Sequence, residues 1–134
     1  MKRCIVRLFK CIITVFLVIG LIFAGMQIYG TIRRYTVKRD IVNGFYEKYD
    51  VFMKISDELK NTYFEGDPVI ISQEISELGY SYICSNNGVV DFSHEYVSLW
   101  TGSIGILRAF EYENIPSWYA LEHIEGEWYY YRMV

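Results

Sequence analysis

A chain of 134 residues, 52% hydrophobic and with a mean hydropathy of +0.12, is too apolar for an ordinary soluble domain. It is also too short for more than one small domain beside a hydrophobic segment. Charge is divided unevenly: residues 1–32 carry Lys2, Arg3, Arg7 and Lys10 and no acid, whereas residues 33–134 carry 9 Lys+Arg and all 16 Asp+Glu, formally −7. An acidic distal part disfavours nucleic acid as a partner, because phosphate binding needs clustered cations.

Residues 1–10 read as a basic cytoplasmic tail. From Cys11 the sequence runs CIITVFLVIGLIFAGMQIYGTI to Ile32, 22 residues without a charge. As a helix this stretch reaches roughly 33 Å, enough for a hydrocarbon core of about 30 Å. Residues 11–32 are therefore expected to be a single-pass anchor in contact with membrane lipid. Thr14 and Thr31 can return their hydroxyls to the helix backbone, and Tyr29 suits the distal interface. A cleaved signal peptide would have a shorter apolar run followed by small residues, and Phe23-Ala24-Gly25 places a bulky ring at the best cleavage point. The anchor is expected to be retained. Four basic residues precede it and four follow it (Arg33, Arg34, Lys38, Arg39), so the positive-inside count is tied. The short basic tail tips the expectation towards a cytoplasmic N-terminus and an exported C-terminal domain. The basic residues that follow are expected at lipid headgroups.

Residues 33–62 read as a juxtamembrane amphipathic helix, with Ile41, Phe45, Tyr49, Phe52 and Leu59 on one side. Asn43-Gly44 marks a candidate break. Lys54 and Glu58, four apart, are spaced to pair on the exposed side. Residues 63–134 form the remaining α+β domain. Asp67, Pro68 and Gly79 are placed to cap, start and end a short second helix, while β-branched Val69, Ile70 and Ile71 keep a strand over 67–79 as the alternative. From Tyr80 the chain reads as β. Tyr80–Ser85 and Val89–Phe92 flank Asn86-Asn87-Gly88, a hairpin signal. Ile104–Tyr112 is a strand, and Trp118–Ile124 and Trp128–Met133 flank a second hairpin turn at Glu125-Gly126-Glu127. The expected fold is α+β: helices packed on one face of a four- to five-stranded antiparallel β-meander.

Few residues invite chemistry. Cys84 is the only cysteine of the distal domain, which excludes an internal disulfide there, and it reads as a small core side chain. Cys11 follows Leu8, Phe9 and Lys10, an unsuitable setting for lipidation. His94-Glu95, near Asp91, and Glu122-His123, near Glu125, lack recognised metal-ligand spacing. On a regular strand Glu122 and His123 point to opposite faces. Thr101-Gly102-Ser103-Ile104-Gly105 lacks a phosphate-loop pattern and a G-x-S-x-G frame, and reads as a bend or turn. No catalytic, cofactor or metal site is expected, and the glutamates near the turns read as a solvated acidic rim.

The aromatic residues are the stronger signal, at 18% of the chain. Trp128, Tyr129, Tyr130 and Tyr131 must place two rings on each face of their strand. One face can pack on a helix, leaving the other for solvent, a partner or the membrane surface. Trp118, Tyr119, Trp128, Tyr129 and Tyr131 are the candidate partner-binding surface, since Tyr and Trp dominate binding hot spots. The expected function is a small membrane-anchored binding or accessory module, of inhibitor or immunity type, acting on a protein partner without catalysis or cofactor. The order of an apolar helix, an amphipathic helix and antiparallel strands resembles type IV pilins and pseudopilins in outline. That resemblance implies a structural or assembly subunit as the alternative. Those proteins carry a leader with a glycine cleavage site, then a phenylalanine and a glutamate five residues in, and no such pattern precedes Cys11. A small membrane-bound enzyme ranks third.

Overall fold

The computed structural model describes residues 2–98 and 102–133, with side chains described over 10–94 and 102–133. Helix α1 runs Lys2–Glu47. Within it Lys10–Glu47 contains a stretch long and apolar enough to cross a membrane, by length and composition, with none of that stretch buried against the protein. Thr14 and Thr31 donate to the carbonyls of Lys10 and Gln27, both at 2.9 Å, so neither hydroxyl is left without an acceptor.

The chain divides into two compact units, Met1–Val37 and Lys38–Val134. The second begins inside α1, five residues beyond the start expected for the juxtamembrane helix. Asn43-Gly44 does not break the helix. The interruption falls at Lys48, whose φ and ψ of −118° and 28° leave the helical region before α2, Tyr49–Leu59. Gly44 packs near Leu78, where a Cβ would stand 3.5 Å from its side chain, an ordinary contact that does not itself demand glycine. Ile41, Phe45, Phe52 and Ile55 are buried, whereas Tyr49 and Leu59 are only half-buried. Lys54 and Glu58 both lie exposed.

Segment 67–79 is neither a single helix nor a strand. Asp67 Oδ1 accepts from Val69 N at 2.9 Å and caps a 3-10 turn, Pro68–Ile70. Helix α3, Gln73–Glu77, follows, and Gly79 closes it with a φ of +86°, a conformation glycine adopts without penalty.

The sheet has six antiparallel strands: β1 Phe64–Gly66, β2 Tyr80–Asn86, β3 Val89–Ser98, β4 Gly102–Ala109, β5 Tyr119–Glu125 and β6 Trp128–Met133. Their order is β1-β2-β3-β4-β6-β5. The expected α+β fold with a meander-like antiparallel sheet is present, and it differs from the expectation in two details. A sixth strand, β1, pairs with β2 through Phe64↔Ser85. The last two strands also exchange places, so that β4 pairs with β6 and β5 takes the edge. The long connection between β4 and β5, with a 3-10 turn at Tyr112–Asn114, gives the chain room to pass the place that β6 fills. Residues 102–105, expected as a bend, open strand β4, and the strand expected to reach Tyr112 stops at Ala109. The β2–β3 hairpin turns as expected, with Asn87 and Gly88 at φ values of 49° and 75°.

One face of the sheet packs on the helices. Phe45, Phe52, Tyr80, Phe92 and Trp128 meet there as a ring cluster, with Phe45 4.9 Å from Trp128 and Phe52 5.0 Å from Phe92 between centroids. Arg108 ties this face together. Its guanidinium donates to Asp57 and Ser56 of α2 at 2.8 Å each and to Glu127 of the β5–β6 turn at 3.0 Å. The pairing is sound because the acids stay half in water while the buried cation has its donors occupied.

Candidate functional site

The opposite face of the sheet carries the polar chemistry. Cross-strand pairing sets Glu65 beside Cys84, Cys84 beside Asp91, and Asp91 beside Leu107. The neighbouring row runs Tyr82, Ser93, Gly105, Tyr131 and Leu121. Gly105 holds the centre. A Cβ there would meet the Phe92 carbonyl oxygen at 2.0 Å and Cε1 of Tyr131 at 3.0 Å. Only glycine lets the Tyr131 ring lie across the sheet.

Tyr119 on β5 donates to Asp91 Oδ2 on β3 at 2.8 Å. The two strands are three places apart, roughly 14 Å on a flat sheet and farther than a tyrosine reaches, so the sheet must curl strongly over this face. Curling closes a second small core of Val89, Leu107, Ala109 and Tyr131, flanked by Ile115, Tyr119, Leu121, Tyr129 and Met133. Tyr119 and Tyr131 stack at 4.6 Å. Ser93 Oγ lies 3.4 Å from Asp91 Oδ1 and 2.6 Å from Tyr131 Oη. With the serine donating to the carboxylate, Tyr131 donates to the serine.

Asp91 is almost fully enclosed, and that burial lifts its carboxyl to about 6 while the hydroxyls of Tyr131, Tyr119 and Ser93 pull it back down. Burial and the adjacent carboxylate push the hydroxyls of Tyr119 and Tyr131 far above the usual phenol range. The Cys84 thiol is raised by burial and by Asp91 and Glu65, which makes it a poor nucleophile at neutral pH. On the outer strand Glu65 accepts from Tyr63 at 2.6 Å and from Tyr82. Those bonds lower the Glu65 carboxyl and lift Tyr82 to about 12. Both Asp91 oxygens are occupied by internal donors, so this network orders the curled sheet and presents no free acid to a ligand.

The five candidate surface residues separate. Trp128 and Tyr131 are buried, one in each core. Tyr119 is half-buried with its hydroxyl committed to Asp91, and Tyr129 is half-buried between the rings of Tyr112 at 5.8 Å and His123 at 5.3 Å. Trp118 alone is fully at the surface, 57% exposed. The aromatic surface is accordingly narrower than the sequence implied, because the helices cover Trp128 and the curl covers Tyr131 and part of Tyr119. It also includes a residue not singled out there: Tyr112, 62% exposed, within the acidic turn Glu111-Tyr112-Glu113. Its setting between two glutamates disguised it as part of a solvated rim.

The histidines take local roles. His94 Nε2 donates to the Leu78 carbonyl at 3.1 Å, and His123 Nε2 to the Gly126 carbonyl at 3.0 Å. Glu122 and His123 fall on opposite faces: Glu122 pairs with Lys38 on the Tyr130 side, and His123 meets Tyr129. That ion pair occupies one of the cations expected at lipid headgroups. Among the described residues no group of three or more His, Cys, Asp or Glu side chains is placed to hold a metal ion. Comparison with protein-family models, with curated proteins and with solved structures found no match.

Proposed function

We propose that the chain is a membrane-tethered binding module. Its apolar helix holds it in a bilayer, and its C-terminal domain engages a protein partner without catalysis. The observation that carries this reading is the division of labour among the side chains. The buried acid and its hydroxyls are spent on one another within the fold, while Tyr112 stays exposed against Tyr129 and between Glu111 and Glu113, and Trp118 stays exposed just ahead of β5. Exposed aromatic anchors among acidic residues suit a partner with a basic, partly apolar surface. All 16 acids against seven Lys+Arg fall within residues 38–134, a formal −9 that would attract such a partner from a distance.

Crosslinking followed by recovery from detergent-solubilised membranes should yield one stoichiometric partner. Trp118→Ala and Tyr112→Ala should each weaken its recovery by about tenfold or more, while changing domain stability by less than about 0.5 kcal/mol. Recovery that is unchanged in both variants, or no partner at all, would remove the proposal. The N-terminus is assigned to the cytoplasm and the domain to the exported side, on the strength of the short basic tail. A reporter fused after Val134 should be active only outside the cytoplasm, and cytoplasmic activity would reverse that assignment.

A further inference from the structure

A second feature lies apart from the aromatic rim. The end of α2, the β2–β3 turn and the segment after β4 enclose a groove of about 400 Å³. That is within the range of roughly 300–1,000 Å³ for small-ligand sites. Its walls are fixed by bonds between elements. Ser85 Oγ donates to the Leu59 carbonyl at 2.7 Å, holding the end of α2 to β2. Asn114 Nδ2 donates to both the Asn87 carbonyl and Glu111 Oε2 at 2.7 Å, and Phe110 N donates to the Gly88 carbonyl at 2.9 Å. The groove is thus formed before any ligand arrives.

Its lining has a defined chemistry. Asn61, Asn86 and Asn87 are exposed, and their carboxamides have no hydrogen-bond partner among the described residues. Each offers both donors and an acceptor. Tyr63 presents an exposed ring at the rim, held in place by its hydroxyl on Glu65. Phe110 contributes no apolar floor, because Lys60 Nζ lies 4.5 Å from its centroid and the Arg108 guanidinium carbon 4.2 Å. The one ammonium, Lys60, is offset by Glu111 in the same lining.

The geometry points to a binding site for a neutral polyhydroxylated ligand, a sugar of one or two rings. Paired hydroxyls both donate and accept, which is what a carboxamide offers in return, and the C–H face of a pyranose packs on an aromatic ring such as Tyr63. A phosphate or other anion would find one cation beside an acid. A lipid chain would find a lining that is mostly polar. An extended peptide could use the carboxamides too, but the short groove provides no apolar pockets for alternate side chains.

The test uses the full chain in an alkyl phosphocholine detergent, which carries no sugar. Saturation-transfer NMR is recorded against cellobiose, maltose, lactose and chitobiose, with tetraglycine as the peptide control. At least one disaccharide should give a saturable response centred on its ring protons. Asn61→Ala and Asn86→Ala should each weaken it by about tenfold with unchanged thermal unfolding, since both side chains are exposed and unbonded. The inference is overturned if none of the four saturates, if both variants bind as the parent does, or if tetraglycine alone responds.

Discussion

Trp128→Ala is expected to unfold the domain near room temperature or bring it close to that point. The indole is 2% exposed and packs against Phe45 at 4.9 Å and Phe92 at 6.1 Å, with the Arg108 guanidinium 5.5 Å from its ring. Truncation removes apolar area from the middle of the helix–sheet core and leaves a cavity bounded by rings that cannot all collapse into it. The cost for such a site is about 3–5 kcal/mol. For a unit of this size that lowers the melting temperature by on the order of 20 °C. Scanning calorimetry of the detergent-solubilised chain reads the change directly. A fall of less than about 5 °C would show that the indole does not sit in the core. The same measurement on Trp118→Ala should show almost nothing, so the pair separates a core residue from a surface one.

The second large effect concerns pH. Asp91 has its carboxyl raised from 3.8 to about 6, chiefly by burial. Between those values the folded state holds a proton that the unfolded chain has released. Stability is therefore greatest below about pH 4 as far as this group is concerned, and is lost as pH rises towards 6. A shift of about two units corresponds to roughly 3 kcal/mol. Glu65 acts in the opposite sense, since its lowered carboxyl favours the fold above the unfolded value, but it is fully exposed and contributes little. Asp91→Asn separates the two. Unfolding in urea at pH 4 and pH 7 should show the parent chain losing stability on the way up and the variant losing far less. Parallel curves for the two proteins would contradict the burial assigned to this carboxyl.

Some of this fold is legible in the sequence because the signals are local. The uncharged run Cys11–Ile32 gives the apolar helix, Asn86-Asn87-Gly88 gives a hairpin turn, and Asp67-Pro68 gives a capped start. Each depends on neighbours within a turn or two. The rest depends on partners far along the chain. Strand β1 is three residues long, too short for an alternating pattern, and exists because β2 offers it an edge. The exchange of β5 and β6 is invisible in hairpin spacing, which fixes that two strands pair but not which of them meets β4. The extent of the aromatic surface is hidden for the same reason. Period-two alternation correctly puts Trp128 and Tyr131 on opposite faces, yet the face that the helices leave bare is covered only because the sheet curls over Tyr131. Asp91, in the run Val-Val-Asp-Phe-Ser, reads as an outward polar position until Tyr119 is brought over it.

The two flanks of the sheet bear on how the protein behaves when crowded. β1 exposes only three residues of backbone, and β5 carries Glu122 and Glu125 with an irregular register between His123 and Glu125. Short length, acidic side chains and a bulge each discourage a foreign strand from docking alongside. A tyrosine-rich sheet without those features would be a template for fibrous self-association. Here both flanks of the described sheet give the backbone of a second copy little to pair with, so self-association by strand addition is disfavoured.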